Sequence, residues 1–249
     1  MQIQFDHLVI FVNDLDSAVS KFKEQGLHVV YGGSHPMWGT YNALIYIGNA
    51  YIELIAVEHE HIFIQAAEQP YTLHETYEFN TRKNGYTRMA MRTTDGQMIA
   101  NILKETGYDV HGPDTFSRLT RSGDTVEWKM VHPGVQDRSA IFPFIIQWNS
   151  PDDERFKALR AQHIIAPHEV GDVVISEVHV HEGDLKVIAT FYEALQIPVV
   201  KREGRLIVQV GTTEINYYAE PLTNPTIVLK NSDVEKVFIF EETLYKFTK

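Results

Sequence analysis

The chain has 249 residues, with 33 acidic against 22 basic side chains and a formal charge of −11 with histidines neutral. An apolar share of 44% is enough to bury a core, which excludes intrinsic disorder, and the acidic balance excludes general affinity for a nucleic-acid backbone, which needs clustered Lys and Arg. With no cysteine, disulfides, thiolate nucleophiles and cysteine-held metal centres are excluded too, so any metal must be held by His, Asp, Glu or a carbonyl.

The first residues, from Met1, carry no basic leader, and no apolar run approaches the roughly 18 residues of a membrane span. A cytoplasmic protein without membrane partner is expected. From Phe5 to Val12 the run FDHLVIFV has strand length, and Asn13 or Asp14 stands where a helix cap is needed. Ala18, Val19, Phe22 and Leu27 give the following helix its buried stripe, with Gly26 at its end. A short strand at His28 to Tyr31 follows, then TYNALIYI and AYIELIAV, whose separation by Gly48 and Asn49 predicts a hairpin. The first unit is thus β-α-β-β-β, over residues 5–57.

That unit recurs. Thr87 to Thr94 reads as its strand, Asp95 takes the place of Asp14, and Gln97 to Thr106 repeats the helix with Met98, Ile99, Ile102 and Leu103 apolar. Strands follow at Thr115 to Thr120 and Thr125 to Val131, turned at Arg121-Ser122-Gly123-Asp124, and FPFIIQW closes the unit at Trp148. A third pass starts at Val173 with VVISEVHVH, then Asp184, a helix ending near Leu195, and strands at Leu206 to Val210 and Glu214 to Tyr218. TIVLK and VFIF beyond Pro221 read as additions to the sheet, and His59 to Gly85 as a polar connector. The expected fold class is α+β, three βαβββ modules building curved mixed sheets. Residues 1–150 form a domain of two paired modules (5–57 and 86–148), 151–172 a helical linker, and 173–249 the third module with its extra strands.

Taken with this arrangement, the segments DHLVIFVNDLDSAV, GGSHPMWGTYNALIYIG, YIELIAV, TVEWKM and FPFIIQW resemble the vicinal oxygen chelate superfamily, and within it the glyoxalase-like group. The resemblance runs from Phe5 to about Trp148, with a weaker echo after Val173. It implies that the two modules pair into a cup for a small molecule, often with a divalent metal such as Zn, Ni, Mn or Fe. The group's metal ligands come from the first and last strands of each module, which carries over to His7 and Glu53, and in the second module to Arg88 and to Gln147 or Trp148. A guanidinium has no lone pair to give, so the implied metal site is only half complete.

Strand alternation puts His7 with Val9 and Phe11 on the cup side, and Asp6, Leu8 and Ile10 on the other. His7 and Glu53 can begin a metal site as imidazole and carboxylate, or can hydrogen-bond each other or Arg88 in a metal-free cavity. Arg88 can pair with Glu53 or grip an anionic ligand. His35, Thr40 and Asn42 are candidate ligand contacts on the glycine-bounded rim, while Trp128, Trp148, Trp38, Tyr41 and Arg121 fit either pocket wall or core. Glu177, His179 and His181 share a strand face and read as a hydrogen-bonded group, since only Glu214 and Asn216 stand near the closing position. Two functions are expected from the same cup: a metal-dependent lyase or isomerase acting on a small oxygen-rich substrate, with His7 and Glu53 central, or a non-catalytic sequestering protein of the antibiotic-resistance type. The unpaired third module either packs with the terminal strands or pairs with another subunit, which makes a homodimer an expectation as well.

Overall fold

Three aspartates punctuate the chain as their spacing predicts. Asp14, Asp95 and Asp184 accept hydrogen bonds from the backbone N–H groups of Ser17, Met98 and Val187, each capping a helix that leaves a strand three or more residues earlier. The computed structural model describes residues 2–249. Its first module runs β1 (Ile3–Phe11), α1 (Leu15–Glu24), β2 (Val30–His35), β3 (Thr40–Ile47) and β4 (Ala50–Val57). Two short helices follow, α2 (Glu60–Ala67) and α3 (Leu73–Phe79), then the second module: β5 (Gly85–Thr93), α4 (Gly96–Glu105), β6 (Asp109–Leu119), β7 (Thr125–Gly134) and β8 (Phe144–Trp148). These eight strands close into a barrel in the order β1-β4-β3-β2-β6-β7-β8-β5. The central seam is β1, parallel to β4 and antiparallel to β5.

Alternation along β1 serves two cores. Leu8 and Ile10 face outward into the large cluster shared with α1, α4 and the C-terminal sheet, while Val9 and Phe11 face inward with Ala90, Phe116, Trp128 and Phe144. The inner cluster also contains Phe63 of α2 and Leu73 and Tyr77 of α3. The connector, polar by composition, therefore stops one end of the barrel with a few apolar side chains.

After α5 (Asp152–Ala161) come β9 (Val174–His181), α6 (Leu185–Ala194), β10 (Val199–Arg202), β11 (Arg205–Val210), β12 (Thr213–Tyr218), β13 (Thr226–Lys230), β14 (Lys236–Phe240) and β15 (Thr243–Phe247). Their seven-stranded sheet has the order β10-β11-β12-β9-β13-β15-β14. β9 lies parallel to β12 and antiparallel to β13, and β13 lies parallel to β15, which is antiparallel to β14. That is the barrel's own β2-β3-β4-β1-β5-β8-β7 sequence of partners, strand for strand. The C-terminal strands, expected as sheet additions, extend the sheet in the places of β5, β8 and β7, a partial fourth module with no helix and no counterpart of β6. Without that strand the second sheet stays open, and its edges are β10 and β14. Val237 and Ile239 on β14 are each 57% exposed. The third module packs with these terminal strands inside the chain. No helix among the described residues is long and apolar enough to cross a membrane.

The β14–β15 turn leans on the barrel at Gly85, which has φ +101°, and a Cβ there would stand 2.0 Å from the carbonyl oxygen of Glu241. Gly48 also has a positive φ, +63°, but no atom lies within 4 Å of its Cβ position. Gly48→Ala is expected to cost about 1 kcal/mol from backbone conformation alone, and Gly85→Ala at least about 3 kcal/mol, since backbone must move as well. Equal losses of urea midpoint in the two variants would show that the close approach carries no weight.

Candidate active site

The barrel interior holds a cavity of about 60 Å³, several times the roughly 10–15 Å³ that one water needs. Its polar wall comes from β1, β3 and β4. His7 of β1 is 2% exposed, and its Nε2 stands 3.6 Å from Oε2 of Glu53 on β4. Asn42 of β3 donates from Nδ2 to the other Glu53 oxygen. The His7 ring stacks on Tyr51 at 4.3 Å between centroids.

Asp6 joins this wall from the wrong side of the alternation. Its Oδ1 lies 2.7 Å from His7 Nδ1, although neighbours in a regular strand point apart. The cause is a register shift between Phe5 and His7 in the pairing of β1 with β5, a bulge that leaves Asp6 unpaired and turns its side chain along the barrel wall. Trp148 of β8 donates from Nε1 to Asp6 Oδ2 at 3.0 Å, and Arg92 and Arg155 stand 3.7 and 3.8 Å away. Burial alone would raise the Asp6 carboxyl, but the His7 hydrogen bond and charge, with Arg155 and Arg92 beyond, outweigh it and hold the group below the usual carboxylate range. Asp6 is thus an ionised acceptor of a hydrogen bond from His7 Nδ1–H, with Nε2 facing Glu53.

The opposite wall is histidine-rich and aromatic. His35 of β2 shares a 3.0 Å hydrogen bond with Thr40 and meets Trp128 edge-on. His74 of α3 and His132 of β7 are buried with both ring nitrogens unpartnered. Burial, helped by Arg118 and His74, pulls His35 down to about 3; burial alone pulls His74 to about 3; and burial, with Arg88, His74 and His111 nearby, takes His132 well below its ordinary value. All three are neutral imidazoles at physiological pH. Trp38, Phe116, Trp128, Phe144 and Trp148 complete the lining.

Of the residues singled out by sequence, His7, Glu53, His35, Thr40, Asn42, Trp128 and Trp148 converge on this cavity, as does Trp38. Three others lie elsewhere. Arg88 is buried behind the barrel end, where it donates to the carbonyls of Phe142, Tyr71 and Pro133 and so meets neither Glu53 nor the cavity. Gln147 accepts from the backbone N–H of Gly96 at 2.8 Å and serves as a cap for α4. Arg121 lies over the Tyr31 ring, 3.6 Å from its centroid. In the second sheet, Glu177 and His179 are 3.1 Å apart, and Lys230 holds the other Glu177 oxygen at 3.0 Å, a mutually satisfied group. Sequence inspection passed over Asp6, hidden by the bulge; His74, in the connector; and Arg118 and His132. The last two had a signal, since each stands two residues along its strand from an inward aromatic or methionine, Phe116 and Met130.

Among the described residues no group of three or more His, Asp and Glu converges tightly enough to hold a metal. The second-module positions that match His7 and Glu53 are taken by Arg88 and, opposite Ala90 on β8, by Phe144. The residues present do not fit a four-ligand protein cage. They fit only an ion held by His7 Nε2 and Glu53, with oxygens of water or substrate in the other positions, an arrangement hard divalent ions accept.

The sequence profile of a glyoxalase-like domain matches residues 5–196. No curated protein matches the chain. Among solved structures, a hypothetical protein from Staphylococcus aureus is 21% identical and superposes with a TM-score of 0.86, covering 99% of this chain and 100% of that one. It shares the whole arrangement, second sheet included. Methylmalonyl-CoA epimerase from Mycobacterium tuberculosis is 20% identical over 61% of this chain and 91% of its own, with a TM-score of 0.43. A methylmalonyl-CoA epimerase in complex with methylmalonyl-CoA and NH4+ is 16% identical over 60% of this chain and 97% of its own, with a TM-score of 0.44. These two similarities carry no weight for the chemistry of this chain.

Proposed function

Because this chain belongs to the glyoxalase-like domain family of the vicinal oxygen chelate superfamily, we propose that it is an enzyme of the isomerase or lyase type that moves a proton on a small, oxygen-rich molecule bound in the barrel. One observation carries this: Asp6, His7 and Glu53 stand in line, with His7 Nε2 3.6 Å from Glu53 and open to the cavity. Asp6 fixes the tautomer of His7 and stabilises the imidazolium formed when Nε2 accepts a proton. Glu53, anchored by Asn42, is the second proton carrier on the same wall. The neutral His35, His74 and His132 orient the bound molecule without adding charge, and the aromatic wall keeps water from it. A divalent ion bound by His7 and Glu53 would instead supply Lewis-acid polarisation of a substrate oxygen, with His7 Nε2 then a ligand and not the proton acceptor.

A non-catalytic, sequestering role has one observation in its favour, the absence of metal donors at Arg88 and Phe144. Incubation of small hydroxy and oxo compounds with the protein in D2O, followed by proton NMR, separates the two. Catalysed exchange at a carbon-bound position is expected, at least 100-fold slower in Glu53→Gln and His7→Ala, both keeping the wild-type unfolding temperature within a few degrees. Saturable binding without exchange in the wild type would overturn the enzymatic assignment in favour of sequestration. Elemental analysis of the same proteins after loading with Mn, Ni, Zn or Fe(II) tests the two-ligand ion: a stoichiometric ion lost in both variants supports it.

A further inference from the structure

Among the described residues, the cavity wall holds one arginine that makes no ion pair. Arg118 lies on β6, half-buried, and lines the same cavity as Asn42 and Glu53. The other arginines on the barrel strands have partners: Arg92 faces Asp6 and Asp152, and Arg88 holds carbonyls. Among the described residues Arg118 makes no ion pair, and its Nε is buried with no hydrogen-bond partner. Leaving a buried charged donor unpaired is costly, so a group that satisfies it belongs in the occupied state.

The neighbouring unsatisfied atom narrows the chemistry. Asn42 spends Nδ2 on Glu53, and its Oδ1 is buried without a donor. Arg118 Nη1 and Asn42 Oδ1 crowd the same point, 2.8 and 2.1 Å from where a Cβ on Gly32 would be, so no more than about 5 Å separates them. Gly32 is the gap in which both side chains sit. A cation with free donors and, beside it, an acceptor lacking a donor call for an anionic acceptor and a hydroxyl on adjacent atoms of one molecule. The histidines opposite are neutral and supply no competing positive charge.

We propose that Arg118 is the specificity-determining residue of the barrel and that it selects small 2-hydroxycarboxylic acids: the carboxylate lies on the guanidinium, and the adjacent hydroxyl donates to Asn42 Oδ1. The carbon bearing that hydroxyl then faces Glu53 and His7. This rests on the functional assignment above only in taking the barrel cavity as the ligand site.

All three tryptophans of the chain, Trp38, Trp128 and Trp148, line the cavity, so intrinsic fluorescence reports its occupancy directly. The experiment titrates the full chain with lactate, with propionate, which lacks the hydroxyl, and with lactamide, which lacks the charge. Lactate is expected to change the fluorescence with a Kd at least tenfold below that of either analogue. Arg118→Met should weaken lactate by tenfold or more and leave lactamide within twofold, while Arg118→Lys should recover only part of the loss because a point charge cannot fork onto a carboxylate. Equal Kd values for lactate and lactamide, or lactate binding indifferent to Arg118→Met, would overturn the role of Arg118 while leaving the cavity as the ligand site. No fluorescence response to any of the three would overturn both.

Discussion

Between about pH 6.5 and 4.5, the free energy of unfolding is expected to fall by roughly 3 kcal/mol for each pH unit. His35 and His74, held near 3, and His132, held well below its ordinary value, stay neutral in the folded chain while their unfolded counterparts protonate below 6.5. Their contribution is therefore complete above pH 6.5 and is lost as the pH falls, at about 1.4 kcal/mol per unit for each group. Glu182 works the other way. Burial raises its carboxyl from 4.5 to about 7, so the folded state holds a proton that the unfolded state has released, and its contribution grows as the pH falls across this window. Three protons against one leaves a net difference of two, to which His168, also lowered by burial, adds in the same direction. Urea unfolding at half-unit steps of pH measures the slope. His74→Phe, which keeps the stack on Trp38, should make it shallower by one proton, and Glu182→Gln should make it steeper by one. A flat profile would mean that these imidazoles are solvated in the folded protein.

Arg88→Met is expected to destabilise the protein by about 4 kcal/mol without weakening any ligand of the barrel cavity. Arg88 is 3% exposed and touches no carboxylate, and burial pulls its guanidinium only down to about 10, so it is charged at any working pH. Its donors reach Phe142 O at 2.6 Å, Tyr71 O, Pro133 O and the hydroxyl of Thr76, joining β5 to α3 and to the loop before β8. Methionine fills the volume but strands those acceptors, each costing about 1–3 kcal/mol less whatever water recovers. Arg88→Lys should be nearly as damaging, because an ammonium has three donors on one atom and cannot span the spread of acceptors. Wild-type stability in either variant, by chemical denaturation, would show that the carbonyls find other donors.

The contrast between Arg88 and His7 marks what could be seen in the sequence. Both stand seven residues before a helix-capping aspartate, and that spacing correctly identifies the repeated strand and helix. It does not determine where a long side chain ends. Within β5, Arg88 meets a cluster of carbonyls that no pattern reveals, because they belong to segments 17 to 54 residues distant in the chain. The short side chains His7, Thr40 and Asn42 have less reach, and alternation was enough to place them. His74 was illegible for a different cause: a barrel end can be stopped by three or four apolar side chains, too few to alter the composition of the connector. The fourth module escaped because the repeat announces itself through strand, aspartate and helix, and β13 is followed by no helix.

The open second sheet has a bearing on how the chain behaves among its neighbours. A closed barrel gives other molecules no unpaired backbone, but a sheet that lost its closing strand regains two rows of free N–H and C=O groups. At β14 that row runs through KVFIF, a short segment of high β-propensity with Val237 and Ile239 facing water, flanked by Glu235 on one side and Glu241 and Glu242 on the other. Those carboxylates act as gatekeepers: strands stacking edge to edge would bring like charges together. Taking two of those charges away, as in Glu235→Gln with Glu241→Gln, is therefore expected to favour self-association through β14, read as concentration-dependent sedimentation.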